Sequence, residues 1–87
     1  MKKLWHDIGW DQYEYWLGQD RKTVTRINRL LKDIERNGYN GIGKPEALQG
    51  DLSGWWSVRI DEVNRLVFRI ENDELVVYSC KGHYGDK

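Results

Sequence analysis

Apolar positions along the chain follow two different periods. Val24, Ile27, Leu30, Leu31 and Ile34 recur at helical spacing and make one continuous stripe. Asp20 precedes this helix as an N-cap, and Gly38 stands where an αL glycine closes a helix. Trp10, Tyr13 and Trp16-Leu17 carry the same period upstream to about Gln19, which predicts a first helix with those side chains on its packed face and Asp7 as its N-cap. Lys3-Leu4-Trp5-His6 fits a short strand before it. The two helices form an αα hairpin. After residue 54 the period changes to two: Trp56, Val58 and Ile60 alternate with Ser57, Arg59 and Asp61, and Leu66, Phe68 and Ile70 with Arg65, Val67 and Arg69. Leu75 to Cys80 is almost continuously apolar. The expected class is α+β, two N-terminal helices packed on an antiparallel sheet that includes a three-stranded meander, with residues 1–87 as a single domain.

Residues 38–54 hold five of the nine glycines and the only proline without a sustained period, and read as a long ordered loop of the kind that carries function. Parity fixes the register of the hairpin that follows. If Trp56 and Val58 share a face with Leu66 and Phe68, the connection has an odd number of residues, and Asp61-Glu62-Val63 is the shortest choice. Asp61 then opens a type I turn, Asn64 takes the αL position of a G1-type bulge, and Arg59 lies across from Arg65 on an open sheet face. Asn72-Asp73 reads as a type I′ turn that sets Val77 against Phe68 and returns the chain after Cys80 past the two arginines.

Charge enters locally rather than globally. Fourteen basic and fourteen acidic residues give a formal net charge of zero, so no overall field draws the protein to nucleic acid or an anionic membrane. Arg21, Lys22, Arg26, Arg29, Lys32 and Arg36 nevertheless face only Asp33 and Glu35 along the second helix, a basic strip suited to RNA phosphates. Five Trp, five Tyr and one Phe supply the volume that so short a chain needs for a core. Cys80 is alone and excludes an internal disulfide. No apolar run approaches the ~20 residues of a membrane span, and no secretion signal is read, so the expected compartment is the cytoplasm.

Candidate chemistry is concentrated in five residues. Glu46 follows the glycine-rich loop, Arg59 and Arg65 sit in the hairpin, and His83-Tyr84 stand beside the C-terminus. Each alone reads as an ordinary surface residue. Together they supply what RNA cleavage by an adjacent 2′-hydroxyl requires: a base for its proton, cations for the phosphorane, an acid for the departing 5′-oxygen and a ring for a base to stack on. His6 and His83 are the only histidines and no carboxylates cluster at ligand spacing, so neither metal nor cofactor is expected. His6 reads as a sheet-edge residue and Cys80 as a small strand residue. Trp56 is assigned to the core, and Trp55, on the opposite face, to partner contact or a wall of the site. Gly38 to Lys44 has the spacing of a phosphate loop, but Pro45 replaces the magnesium-binding hydroxyl residue and restricts Lys44 to extended conformations, so nucleotide binding is rejected.

These residues sit within motifs that resemble a known family. Trp10-Asp-x-Tyr13-x-Tyr15-Trp16, Gly43-Lys44-Pro45-Glu46-x-Leu48, Leu52-Ser53-Gly54-x-Trp56-Ser57-x-Arg59-Ile60, Arg65-Leu66-Val67 and His83-Tyr84 are similar to the YoeB/Txe toxins of bacterial toxin–antitoxin modules, within the RelE/ParE superfamily. The resemblance implies a microbial-ribonuclease-like fold and a ribosome-dependent endoribonuclease that cuts mRNA in the A site. It implies a YefM/Axe-type antitoxin of the Phd family as partner, and it is compatible with a homodimer. It also implies Glu46 as base, Arg65 and Arg59 as transition-state donors, His83 as acid and Tyr84 as the residue orienting RNA. Lys44, Gln49 and Trp55 join Arg21, Lys22, Arg26, Arg29 and Lys32 as expected RNA or ribosome contacts. Relatives tend to carry basic residues at the positions of Gln49 and Val58 and a histidine at that of Asn64, and Gly85-Asp86-Lys87 extends past the usual end. Those departures bear on RNA affinity and codon preference. The alternative is a ParE-like, non-nuclease toxin or interaction module on the same fold, which would not need Glu46 and His83 beside the arginines.

Overall fold

The computed structural model describes residues 1–83; Tyr84 and Gly85 to Lys87 lie outside the described residues. Strand β1 (Lys2–Trp5) leads into helices α1 (Asp7–Gln19) and α2 (Arg21–Asn37). Strands β2 (Glu46–Ala47), β3 (Trp56–Arg59), β4 (Arg65–Glu71) and β5 (Glu74–Ser79) follow. The strands form one sheet in the order β1-β5-β4-β3-β2, antiparallel except at β1, which runs parallel to β5 with Trp5 opposite Val77. The sheet is therefore mixed, not purely antiparallel. A parallel neighbour needs a long crossover, and the whole intervening chain supplies it.

The α2 stripe behaves as its spacing predicts. Val24, Ile27, Leu30, Leu31 and Ile34 are all buried, against Val58, Leu66, Phe68, Leu75 and Val77 of the sheet. Asp20 caps the helix by accepting from the backbone N–H groups of Lys22 and Thr23. Gly38 closes it at φ 59°, but with ψ −130°, outside the αL region expected, because a 3₁₀ turn at Gly38–Asn40 continues the chain.

Helix α1 packs differently from its pattern. Asp7 is its first residue and not its cap; His6 holds the cap position without a side-chain bond. Trp10 and Leu17 are exposed, 43% and 57%, while Gly9 and Trp16 are buried. The helix approaches so closely that a Cβ at Gly9 would stand 2.8 Å from the Tyr78 carbonyl oxygen. Trp16 Nε1 donates to the Cys80 carbonyl (2.9 Å), and Gln12 Oε1 accepts from the Cys80 N–H (2.7 Å). These bonds fix the end of β5, from which the C-terminal segment departs.

Both hairpin registers agree with the parity argument. Arg59 pairs with Arg65, Val58 with Leu66, Trp56 with Phe68, and Phe68 with Val77. Asn72 and Asp73 have φ 52° and 62°, the positive pair that a type I′ turn needs. The β3–β4 turn departs from expectation at Asn64, which is not among the positive-φ residues. Ile60 and Asp61 N–H groups both bond the Asn64 carbonyl instead, and the Asp61 carboxylate accepts from Val63 N (2.7 Å) and Asn64 N (2.6 Å). A side chain thus supplies the constraint that a left-handed residue was expected to supply.

Candidate functional site

The sheet face away from the helices is not open around Arg65. The glycine-rich segment contributes an edge strand, β2, with Glu46 opposite Ser57 and Ala47 opposite Trp56. It then returns through a 3₁₀ turn at Gly50–Leu52 to Trp55, with Leu48 buried and its N–H bonded to the Trp55 carbonyl. Trp55 lies against Tyr78 (5.4 Å between centroids) and His6 (5.5 Å), with the Arg69 guanidinium 4.4 Å over its ring. This cluster makes Trp55 a wall of the face, a packed side chain rather than a free stacking platform. Trp56, on the helix side, is half-buried and stacks on Tyr39 at 4.4 Å.

Arg65 itself is only 5% exposed. Its Nη1 donates to Ser57 Oγ (3.2 Å) and lies 3.5 Å from Glu46 Oε1. The Glu46 side chain is 51% exposed, so the pair joins a fixed cation to a carboxylate that meets solvent. Arg59, directly across the ladder, is exposed. Its N–H donates to the Gly43 carbonyl (2.8 Å), drawing the glycine-rich loop, with exposed Lys44 next in sequence, to the end of β3. Lys44 adopts φ 54°, not the extended conformation expected before proline.

The C-terminal segment closes the other side. Arg65 N donates to the Gly82 carbonyl (2.9 Å), and Asn64 Oδ1 accepts from Gly82 N (2.9 Å), so exposed His83 follows a residue anchored to the start of β4. Although partial burial opposes ionisation of Asp61, the N–H groups of Asn64 and Val63, the Asn64 carboxamide and the nearby charge of His83 hold its carboxyl below the usual carboxylate range. Glu46, Arg59, Arg65 and His83 thereby share one end of the sheet. Tyr84, the fifth predicted residue, lies outside the described residues.

Other expected contacts are placed less uniformly. Arg21, Lys22, Arg29 and Lys32 are exposed along α2, but Arg26 is half-buried and donates to the Arg59 carbonyl (3.1 Å), so the basic helix adjoins the site. Gln49 is exposed before the 3₁₀ turn. Val58 is 1% exposed in the core, which removes its departure from any bearing on the site surface. Burial of Cys80 raises its thiol pKa to about 12, and its Sγ contacts the Gly9 carbonyl, the state of an inert packed thiol. Among the described residues no three His, Cys, Asp or Glu side chains gather as a metal's ligand set, and no helix is long and apolar enough to cross a membrane.

Sequence reasoning missed Ser57, although strand parity sets it on the face of Arg59 and Arg65, and it missed the carboxamide of Asn64.

A family model described as the YoeB-like toxin of bacterial type II toxin-antitoxin system matches residues 5–84. Toxin YoeB of Streptomyces coelicolor is 51% identical over 76 residues, covering 87% of this chain and 90% of that protein. The YoeB/ParE toxin from Agrobacterium tumefaciens superposes with a TM-score of 0.93 at 41% identity, over 97% of this chain and 100% of that one. The toxin in the heterotetrameric YoeB-YefM complex from Staphylococcus aureus does so with a TM-score of 0.90 at 40% identity, over 97% and 98%. With the family model spanning most of the chain and that likeness running through sequence and fold alike, the chain belongs to the YoeB-like toxins of bacterial type II toxin–antitoxin systems.

Proposed function

We propose that this toxin is an mRNA endoribonuclease acting in the ribosomal A site, with Glu46 as general base and His83 as general acid. Glu46 takes the proton of a 2′-hydroxyl whose oxygen attacks the adjacent phosphorus. Arg65 and Arg59 donate to the charge that develops on the phosphorane, and His83 protonates the leaving 5′-oxygen. The products are a 2′,3′-cyclic phosphate and a 5′-hydroxyl. Tyr84 stacks on a base and orients the strand. The observation that carries this reading is the burial of Arg65 between Ser57 and Glu46, with its own N–H on the residue before His83. A cation held before substrate arrives loses little on reorganisation.

The chemistry needs no metal, and its antitoxin is of the YefM type, as in the Staphylococcus aureus complex. The ribosome supplies affinity that a protein of zero net charge lacks.

The test is single-turnover cleavage on ribosomes programmed with a defined message, with mapping of both RNA ends. Glu46→Gln and His83→Gln should each slow cleavage by at least ~10-fold. Slow cutting of free RNA at high enzyme concentration should persist in EDTA. A 5′-phosphate end, or wild-type rates in both variants, would overturn the assignment.

A further inference from the structure

Resting on the reading of His83 as the acid, we infer that Asn64 is a positioning residue that sets the acid's place beside Arg65. Asn64 is half-buried immediately before β4, and its carboxamide is used at both ends. Oδ1 accepts from Gly82 N at 2.9 Å, and Nδ2 donates to Asp61 at 3.3 and 3.2 Å from the two carboxylate oxygens. The group cannot be turned over. Reversal would set its NH₂ against the Gly82 N–H and its oxygen against the Asp61 carboxylate, breaking both bonds and adding two repulsions. Asp61 is itself held, accepting from the N–H groups of Val63 and Asn64, so the carboxamide is braced against a fixed turn.

The other anchor of Gly82 comes from the next residue. Arg65 N donates to the Gly82 carbonyl, so Asn64 and the first residue of β4 together grip both polar backbone groups of Gly82. Gly82 has φ 93°, a conformation that glycine alone adopts without strain. The chain therefore bends at a clamped residue immediately before His83. Arg65 also reaches Glu46 through its side chain, so the base and the acid are referred to one residue, and Asn64 fixes the acid's half of that frame. The depressed carboxyl of Asp61, to which the charge of His83 contributes, agrees with the acid lying near this turn.

A positioning role is separable from a structural one by its dependence on His83. Asn64→Ala should lower the single-turnover rate at saturating ribosomes by about 10- to 100-fold, the loss expected from a displaced catalytic group, while the ribosome concentration giving half-maximal rate stays within about twofold. In a His83→Gln background the same substitution should cost less than about twofold, because the group it positions is gone. Asn64→His should retain most activity, since a neutral imidazole accepts at one nitrogen and donates at the other. Amide hydrogen exchange at Gly82 should accelerate in Asn64→Ala with β4 protection unchanged. If Asn64→Ala does not fold, Asn64→Asp, which keeps the size and loses the donor, enters the same cycle. Equal losses in both backgrounds, or unchanged Gly82 exchange, would overturn the positioning role. Wild-type cleavage by His83→Gln alone would instead remove the acid on which it rests.

Discussion

Arg59 and Arg65 stand opposite each other on the β3–β4 ladder, yet one is exposed and the other only 5% exposed. Their opposition would cost a few tenths to about 1 kcal/mol on an open face. The fold separates their environments: Arg65 turns to Ser57 and Glu46, while the backbone of Arg59 binds Gly43 and Arg26.

This asymmetry predicts unequal stability losses. Arg65→Ala strands the buried Ser57 hydroxyl without its donor, which should cost about 1–3 kcal/mol. At roughly 4–8 °C per kcal/mol for a chain of this size, Tm should fall by at least several degrees. Arg59→Ala should stay within about 0.5 kcal/mol. Calorimetry of the two variants measures the difference; equal Tm values would mean that Arg65 is not held as described.

Both arginines should nevertheless serve one anion. Phosphate or sulfate bound between them would raise stability by mass action, about 1.4 kcal/mol at ten times its Kd. Arg59→Leu should abolish most of that gain without lowering the Tm in anion-free buffer. Parallel titration curves for wild type and variant would place the anion elsewhere.

Gly9 yields a sharper packing prediction. Its added Cβ in Gly9→Ala would meet the Tyr78 carbonyl oxygen at 2.8 Å and the Val77 oxygen at 3.3 Å, backbone atoms that cannot rotate away. The better helix propensity of alanine is worth about 1 kcal/mol, and overpacking costs typically 1–3 kcal/mol, so the net effect should be destabilising. A Tm at or above wild type would show that α1 can lift off the sheet at no cost.

The same glycine shows why some of the fold was legible and some was not. The α2 stripe and the hairpin register follow from periodicity, since five large apolar side chains can be buried in only one orientation and a one-residue slip would expose a strand. Helix α1 docks through Trp16 and Tyr13 of the expected face, but also through the absent side chain of Gly9 and two hydrogen bonds to Cys80, while its exposed Trp10 and Leu17 misdirect a hydrophobicity pattern. Strand β1 depends on a parallel partner near the other end of the chain, Lys2 against Glu74. At the candidate site the charged residues announced themselves by type. Their support did not, because the carboxylate that pairs with buried Arg65 stands on β2, an edge strand formed within a segment that has no period.

Acid should reveal the Asp61 turn. With the folded-state pKa depressed, Asp61 contributes stability that is present above its ordinary value of 3.8 and lost as pH falls through its lower folded value. Asp61→Asn should therefore lower Tm at neutral pH, and its curve should converge on wild type in acid. Tm measured against pH for both proteins decides it; a constant gap down to the lowest pH would show that the carboxylate's charge is not what the turn uses.

The basic face of α2 offers the last prediction, refined by the fate of Arg26. That residue is committed to the Arg59 carbonyl, so reversing its charge would disturb the site as well as the surface. Lys22 and Arg29 are exposed and, among the described residues, make no ion pair within 4.0 Å. If ribosomal RNA phosphates dock along this helix, Lys22→Glu with Arg29→Glu should weaken ribosome binding and flatten its salt dependence by roughly 0.7–0.9 for each phosphate no longer neutralised. On the proposed mechanism, cleavage of free RNA would rely on the arginine pair and should be unaffected. Sedimentation with ribosomes across a salt series measures the first effect and single-turnover assays the second. A double variant that pellets like wild type at every salt concentration would leave α2 a solvated face and shift the docking surface toward Lys44 and Gln49, on the segment that carries Glu46.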